Sequence, residues 1–354
     1  MIEAAPPTTR RARLFVGLAL SCVAAACVGM PPFRTCDAPP VESLASLPTR
    51  LSEAGLYRDP IAHAVRDDAL AYEPAFPLWS DGADKKRWLA LPAGTQIDSS
   101  NMDDWSFPVG SRLFKEFSLN GVRLETRVLV KRGPGARDWA GASYVWSSDQ
   151  SDALLAPEGA ENILGTQHDA PPAKKCGGCH AGRRSYVLGF SAVQLANAEA
   201  HAPSSPAQGV EATRAVSLAQ LADSGLLSVA PRPETTRALT PVERAALGSL
   251  HANCGSCHNQ QRPENDGPRC YDPRRKIDMW LPYDATPAAL AAMITSFVPE
   301  YVSPGEPDAG RLMRLVRRRE GILLHMPPLA TERVDEAGVA ALRAWIGTLE
   351  RARR

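Results

Sequence analysis

The sequence has almost no net charge: 40 Lys and Arg stand against 39 Asp and Glu in 354 residues. Nothing in that balance points to nucleic acid or to an anionic membrane surface, and no nucleic-acid partner is expected. Beyond the N-terminus there is no apolar run of about 18 residues or more, so no transmembrane helix is expected in the mature chain. Long uninterrupted elements are disfavoured too, because 31 prolines are scattered along the chain. The length nonetheless allows two or three domains, each with its own core.

What the N-terminus does have is a leader pattern. Arg10, Arg11 and Arg13 precede an apolar run from Leu14 to Ala26 that ends at Cys27. A basic segment, a short apolar segment and small residues before a cleavage point describe a secretory signal, here residues 1–26. Arg10-Arg11 suggests twin-arginine export, but the residues after it fit that route poorly, and the general route is preferred. Ala24-Ala25-Ala26-Cys27 resembles a lipobox without its usual large apolar residue three places before the cysteine. Lipidation of Cys27, giving a membrane tether, and plain cleavage nearby are the alternatives. Both place the chain in an oxidising periplasmic or surface compartment.

There are eight cysteines. Cys22 leaves with the leader, Cys27 is the lipidation candidate, and Cys36 and Cys270 either pair or stay free. The other four fall in two copies of one motif, Cys176-Gly177-Gly178-Cys179-His180 and Cys254-Gly255-Ser256-Cys257-His258. Two cysteines three apart can each form a thioether to one porphyrin, and the next residue, histidine, is then held under the iron. Two covalently bound haem c groups are therefore expected, on Cys176, Cys179 and His180 and on Cys254, Cys257 and His258. A zinc site on the same four cysteines needs its two pairs about 15 to 20 residues apart. Here Cys176 and Cys254 are 78 apart. A thioredoxin-like pair would require neither His180 nor His258.

The second haem also has a candidate sixth ligand. Met326 lies in His325-Met326-Pro327-Pro328, 68 residues after His258. A thioether opposite histidine raises the iron's potential, and the two prolines stiffen the ligand loop. The expected iron ligands are thus His180, His258 and Met326, with His325 the alternative to Met326. For the first haem the candidates are His251, His201, His168, Met279, Met293 and Met313, and a solvated or capping role is the competing reading for each histidine.

Periodicity gives an α+β class, a β-rich N-terminal domain followed by mostly α-helical cytochrome c-like haem domains. Val122, Leu124, Thr126, Val128 and Val130 alternate with Arg123, Glu125, Arg127, Leu129 and Lys131, the repeat of a half-buried strand. Asn120-Gly121 joins it to a strand over Ser111 to Leu119 as a type I′ hairpin. Trp88 to Leu91 and Ala142 to Trp146 read as further strands. Short helices are expected near Leu44 to Leu51, Ala192 to Ala198 and Leu218 to Ala222, with a polar linker at 201–210. Thr240, Pro241 and Glu243 open a helix that runs into Cys254. Asp335 opens a last one with Val339, Leu342, Trp345, Ile346 and Leu349 on one stripe. The expected domains are 37–165 (β-rich), 166–235 (first haem region) and 236–354 (second haem domain).

With these features the chain resembles a group of bacterial diheme c-type cytochromes with a β-rich N-terminal domain. The resemblance is carried by Phe76-Pro77-Leu78-Trp79-Ser80-Asp81-Gly82-Ala83-Asp84-Lys85-Lys86, Leu124 to Val130, Tyr144-Val145-Trp146, Leu250 to Cys254, Met326-Pro327-Pro328 and Ala344-Trp345-Ile346. It implies haem attachment at the six motif residues, ligation by Met326, and electron transfer without a named substrate. The Trp79 to Lys86 run reads either as a functional surface or as a structural turn. The leading functional expectation is an electron carrier rather than an enzyme, passing electrons between a donor dehydrogenase and an acceptor cytochrome. A diheme peroxidase-like enzyme and the cytochrome subunit of a larger periplasmic complex are the alternatives. Arg311, Arg314, Arg317, Arg318 and Arg319 either ring a haem edge and steer an acidic partner or form a solvated helix face.

Overall fold

The computed structural model describes residues 1, 47–196, 215–231, 239–262, 277–284, 286–319, 325–328 and 331–350. The expected leader with Cys22 and Cys27, the expected 201–210 linker, Cys36, Cys270 and His201 lie outside the described residues.

The chain is α+β, with its strands before its helices. A two-stranded ribbon pairs β1 (Tyr57–Asp59) with β2 (Ala64–Val65). Six antiparallel strands then form a meander in chain order: β3 (Leu70–Ala71), β4 (Asp84–Ala90), β5 (Arg112–Leu119), β6 (Val122–Lys131), β7 (Trp139–Trp146) and β8 (Ala153–Leu155). The β5–β6 hairpin forms where Asn-Gly allows it. Asn120 and Gly121 have φ of 51° and 81°, the two positive angles of a type I′ turn. β4 starts four residues before the expected Trp88, and β7 three before Ala142, because Asp84 to Arg87 and Trp139 to Gly141 continue both ladders.

Antiparallel alternation sends successive side chains to opposite faces of this sheet. One face carries Phe114, Val128, Ala142, Tyr144 and Trp146, and packs under Leu47, Leu51, Ala54 and Leu56 around the 3-10 turn Leu51–Glu53. The other contributes Leu89, Leu113 and Trp139 to the main core, together with Phe190, Leu195, Leu247, Leu281, Phe297 and Trp345. Sheet and helices thus share one core. The charged side of β6 is not turned to water: Glu125 is 0% exposed and Lys131 4%.

The helices are short: α1 (Cys176–His180), α2 (Ala192–Leu195), α3 (Leu218–Asp223), α4 (Pro241–Leu250), α5 (Pro287–Thr295), α6 (Arg311–Val316) and α7 (Glu336–Thr348). Among the described residues no helix is long and apolar enough to cross a membrane. α4 begins as its sequence dictates. Thr240 accepts from the Glu243 amide, the Glu243 carboxylate accepts from the Thr240 amide, and Pro241 fills the first helical position. α7 is capped by Asp335, which accepts from the Gly338 amide at 2.9 Å. It packs on α4 with Gly338 facing Ser249, burying Val339, Leu342, Trp345 and Ile346.

Candidate haem-attachment sites

The first Cys-x-x-Cys-His motif is α1 itself, one helical turn, close enough to Arg127 and Lys115 of the sheet for their charges to act on it. His180 directs Nδ1 at the Tyr186 carbonyl, 2.8 Å away. A carbonyl only accepts, so the proton sits on Nδ1 and the Nε2 lone pair is left for a metal. Burial pushes the His180 pKa down to about 4, against the pull of that hydrogen bond, so the ring is neutral near pH 7. Several groups hold the Tyr186 carbonyl in place. Tyr186 has a left-handed φ of 61°, a costly conformation for a residue with a Cβ. Asp104, from the β4–β5 connection, accepts from the Arg184 and Ser185 amides at 3.2 and 2.6 Å, and Trp139 of β7 stacks on the Tyr186 ring. The β-rich region therefore orients the histidine of the first motif.

The second motif follows α4 through a π-helical turn, His251–Gly255, a distortion frequent at functional sites. Cys254, Trp79, Leu250, Asn253, Val316, Arg319, Met326, Pro327, Val339 and Leu342 line one cleft. Two residues 72 apart in the sequence, Cys254 and Met326, thus face the same mostly apolar space. Neither is adjacent to the other in chain order, so this convergence comes from the fold. The Trp79 to Lys86 run helps to close the cleft. Trp79 donates its amide to Asn253 and its indole N–H to the Arg333 carbonyl, while Asp81 accepts from the Glu332 and Arg333 amides. Its start is clamped as well, since a Cβ at Gly248 of α4 would overlap the Phe76 ring.

The two motifs lie directly against each other. Asn259 donates to the carbonyls of Gly182, Gly255 and Ser256, and Arg262 donates to Gly178. The Cys257 thiol donates to Gly178 at 3.4 Å. The Cys179 and Cys257 thiols also act on one another, which pushes the first thiol's pKa up and the second's down. Yet among the described residues no three His, Cys, Asp or Glu converge as a metal-ion site would require.

The sixth-ligand candidates for the first haem fare unequally. The His251 Nδ1 accepts the Leu281 amide at 3.1 Å, which leaves the proton on Nε2, the opposite tautomer to His180. Burial lowers its pKa to about 3, and it packs on Trp280. It is a buried structural acceptor rather than a solvated histidine. His168 is also buried, with Nε2 2.8 Å from Glu125. Met279, Met293 and Met313 are all packed in the main core. The His325 Nδ1 donates to the Pro327 carbonyl, and it is Met326 that lines the cleft. In the basic run, Arg317 pairs with Asp308, and Arg319 lines the cleft while donating to the Val316 and Arg333 carbonyls.

Sequence reading missed the supports. Asp104 and Asn259 carry no motif, and their partners are 81 and 77 residues away. No family model matches the chain, and no curated protein or solved structure matches it either.

Proposed function

We propose that the chain is a c-type cytochrome that binds two haems covalently and passes single electrons through them. The residues present fit that group. Cys176 and Cys179, and Cys254 and Cys257, would hold the two porphyrins by thioethers, with His180 and His258 as iron ligands and Met326 as the second haem's sixth ligand. Bound haem supplies a one-electron Fe(III)/Fe(II) couple. The observation that carries the reading is the tautomer and anchoring of His180, which leave Nε2 available on a neutral, buried ring.

The chain's own residues would do three things. Tyr186, held by Asp104, fixes the ring of His180. Leu250, Val316, Val339 and Leu342 keep water from the second site, and the direct contact between the motifs favours transfer within the chain. The helical part after residue 166 then forms two cytochrome c-like regions, as in the diheme family that the sequence resembles.

The reading includes export. Cleavage at Cys27, with lipid on that residue, would tether the protein on the periplasmic or outer surface, where a donor dehydrogenase or acceptor cytochrome is its partner. Paired replacement Cys176→Ala/Cys179→Ala tests attachment. The variant should retain half the covalent haem of the wild type in a pyridine assay of denatured protein. An unchanged content would refute attachment at that motif.

A further inference from the structure

The charged face of the sheet holds a group of cations that the electron-transfer reading does not use. Arg87 of β4 pairs in register with Lys115 of β5, and Lys115 with Arg127 of β6. The three therefore form one row across three strands on one face, and Lys85, two residues before Arg87, extends it. Like charges directly opposite each other on a sheet are destabilising, and burial adds a desolvation cost. Yet Arg87 is only 6% exposed.

Among the described residues the one buried carboxylate on this face of the sheet does not balance the row. Glu125 accepts two hydrogen bonds from Arg127, at 2.7 and 3.0 Å, one from the Ser143 hydroxyl, and contacts His168 at 2.8 Å. Lys115 lies over the Phe117 ring at 4.7 Å. Among the described residues neither the Lys115 ammonium nor the Arg87 guanidinium has a hydrogen-bonding acceptor. Burial, then Arg87, Arg127 and Lys85, push the Lys115 pKa well down, and burial and Arg87 lower that of Lys85 to about 8, with Asp84 and Asp335 acting against this. Glu73 acts on Arg87 and Glu125 on Lys115, but burial outweighs both, and the row keeps more positive than negative charge.

It lies beside the first motif. Trp139 on the same face stacks on Tyr186, whose carbonyl holds His180. Arg127 is close enough to Cys176 and Cys179, and Lys115 to His180, for their charges to act on one another. A porphyrin attached at Cys176 and Cys179 brings two carboxylates of its own.

We infer that the row Arg87–Lys115–Arg127 is an anion site for paired carboxylates, supplied by the propionates of the first haem, and that the β-rich region thereby forms one wall of that haem's pocket. The inference rests on the two-haem reading. It also gives the sheet a role in setting the first haem's potential, since buried positive charge favours the reduced iron.

The test is a potentiometric titration of the full-length holoprotein and of Lys115→Met, Arg87→Met and Lys115→Arg, with and without added phosphate. Each methionine variant should shift the oxidised-to-reduced ratio of the first haem at fixed potential tenfold or more toward oxidised, a fall of about 59 mV for one electron. The second haem should stay unmoved, and Lys115→Arg should keep most of the wild-type potential. Two covalent haems with an unshifted first potential in both methionine variants would overturn the anion site alone. A wild-type potential that moves with phosphate, when the variants' does not, would mean that the row is open to free anions, and would overturn the propionate assignment. A wild type without covalent haem would overturn both this inference and the reading beneath it.

Discussion

Replacing Gly182 by alanine probes the contact between the two motifs directly. A Cβ at this position would overlap the Ser256 carbonyl oxygen and lie 2.8 Å from the carbonyl carbon. Favourable contacts fall at about 3.5–4.0 Å, so the two backbones must part by well over about 1 Å, the oxygen overlap setting the distance. Both sides of the contact are main chain, so no side-chain rotation can relieve it. Overpacking of this kind costs about 1–3 kcal/mol, and the upper end applies here. Parting the segments also strains the Asn259 bond to the Gly182 carbonyl, worth about 1 kcal/mol. The expected loss is about 3–4 kcal/mol in denaturant unfolding of the holoprotein. At roughly 2 °C per kcal/mol for a large chain, that is a fall of about 6–8 °C in Tm. Gly347→Ala is the control: it lies in α7 with no atom within 4 Å of its would-be Cβ, and should stabilise by up to about 1 kcal/mol. If Gly182→Ala unfolds within 0.5 kcal/mol of wild type, the motifs do not pack as described.

Glu125→Gln should cost about 3–5 kcal/mol in the same assay, because it leaves Arg127 without its buried counter-charge. In the wild type, burial raises the Glu125 pKa, but the Arg127 charge and the hydrogen bonds from His168 and Arg127 outweigh it, holding the carboxyl near 2 instead of 4.5. Its contribution is therefore full above about pH 4.5 and is lost as the pH falls toward 2, and Glu125→Gln should flatten that part of the acid-unfolding curve. A curve identical to wild type between those values would contradict the assignment. Met326→Ala should lower the potential of the second haem and let it bind small ligands while leaving the first unchanged, in a redox titration with spectral deconvolution. An unchanged second potential would remove Met326 as the ligand.

How much of this the sequence discloses depends on how local each signal is. Asn120-Gly121, the Thr240–Glu243 box and the stripe of α7 act over a few residues, and all three elements form where their signals lie. The alternation in β6 reveals two unlike faces but not which one meets water. Its charged face is buried because helices follow about 50 residues later and cover it. The supports of His180 come from Asp104 and Trp139, and the closure of the second cleft joins Asp81 to Arg333 across 252 residues. Such contacts have no period and no motif. The pairing of Cys254 with Met326 is intermediate, since chemistry suggests the partners and only the fold brings them to one cleft.

The most direct measurement is the intact mass of the full-length protein matured in a host that attaches haem c, taken under denaturing conditions. Covalent attachment at both motifs predicts the mature polypeptide plus the mass of two haems, retained after acid extraction. A polypeptide that loses all haem on extraction, or that keeps one, would contradict the two-haem assignment.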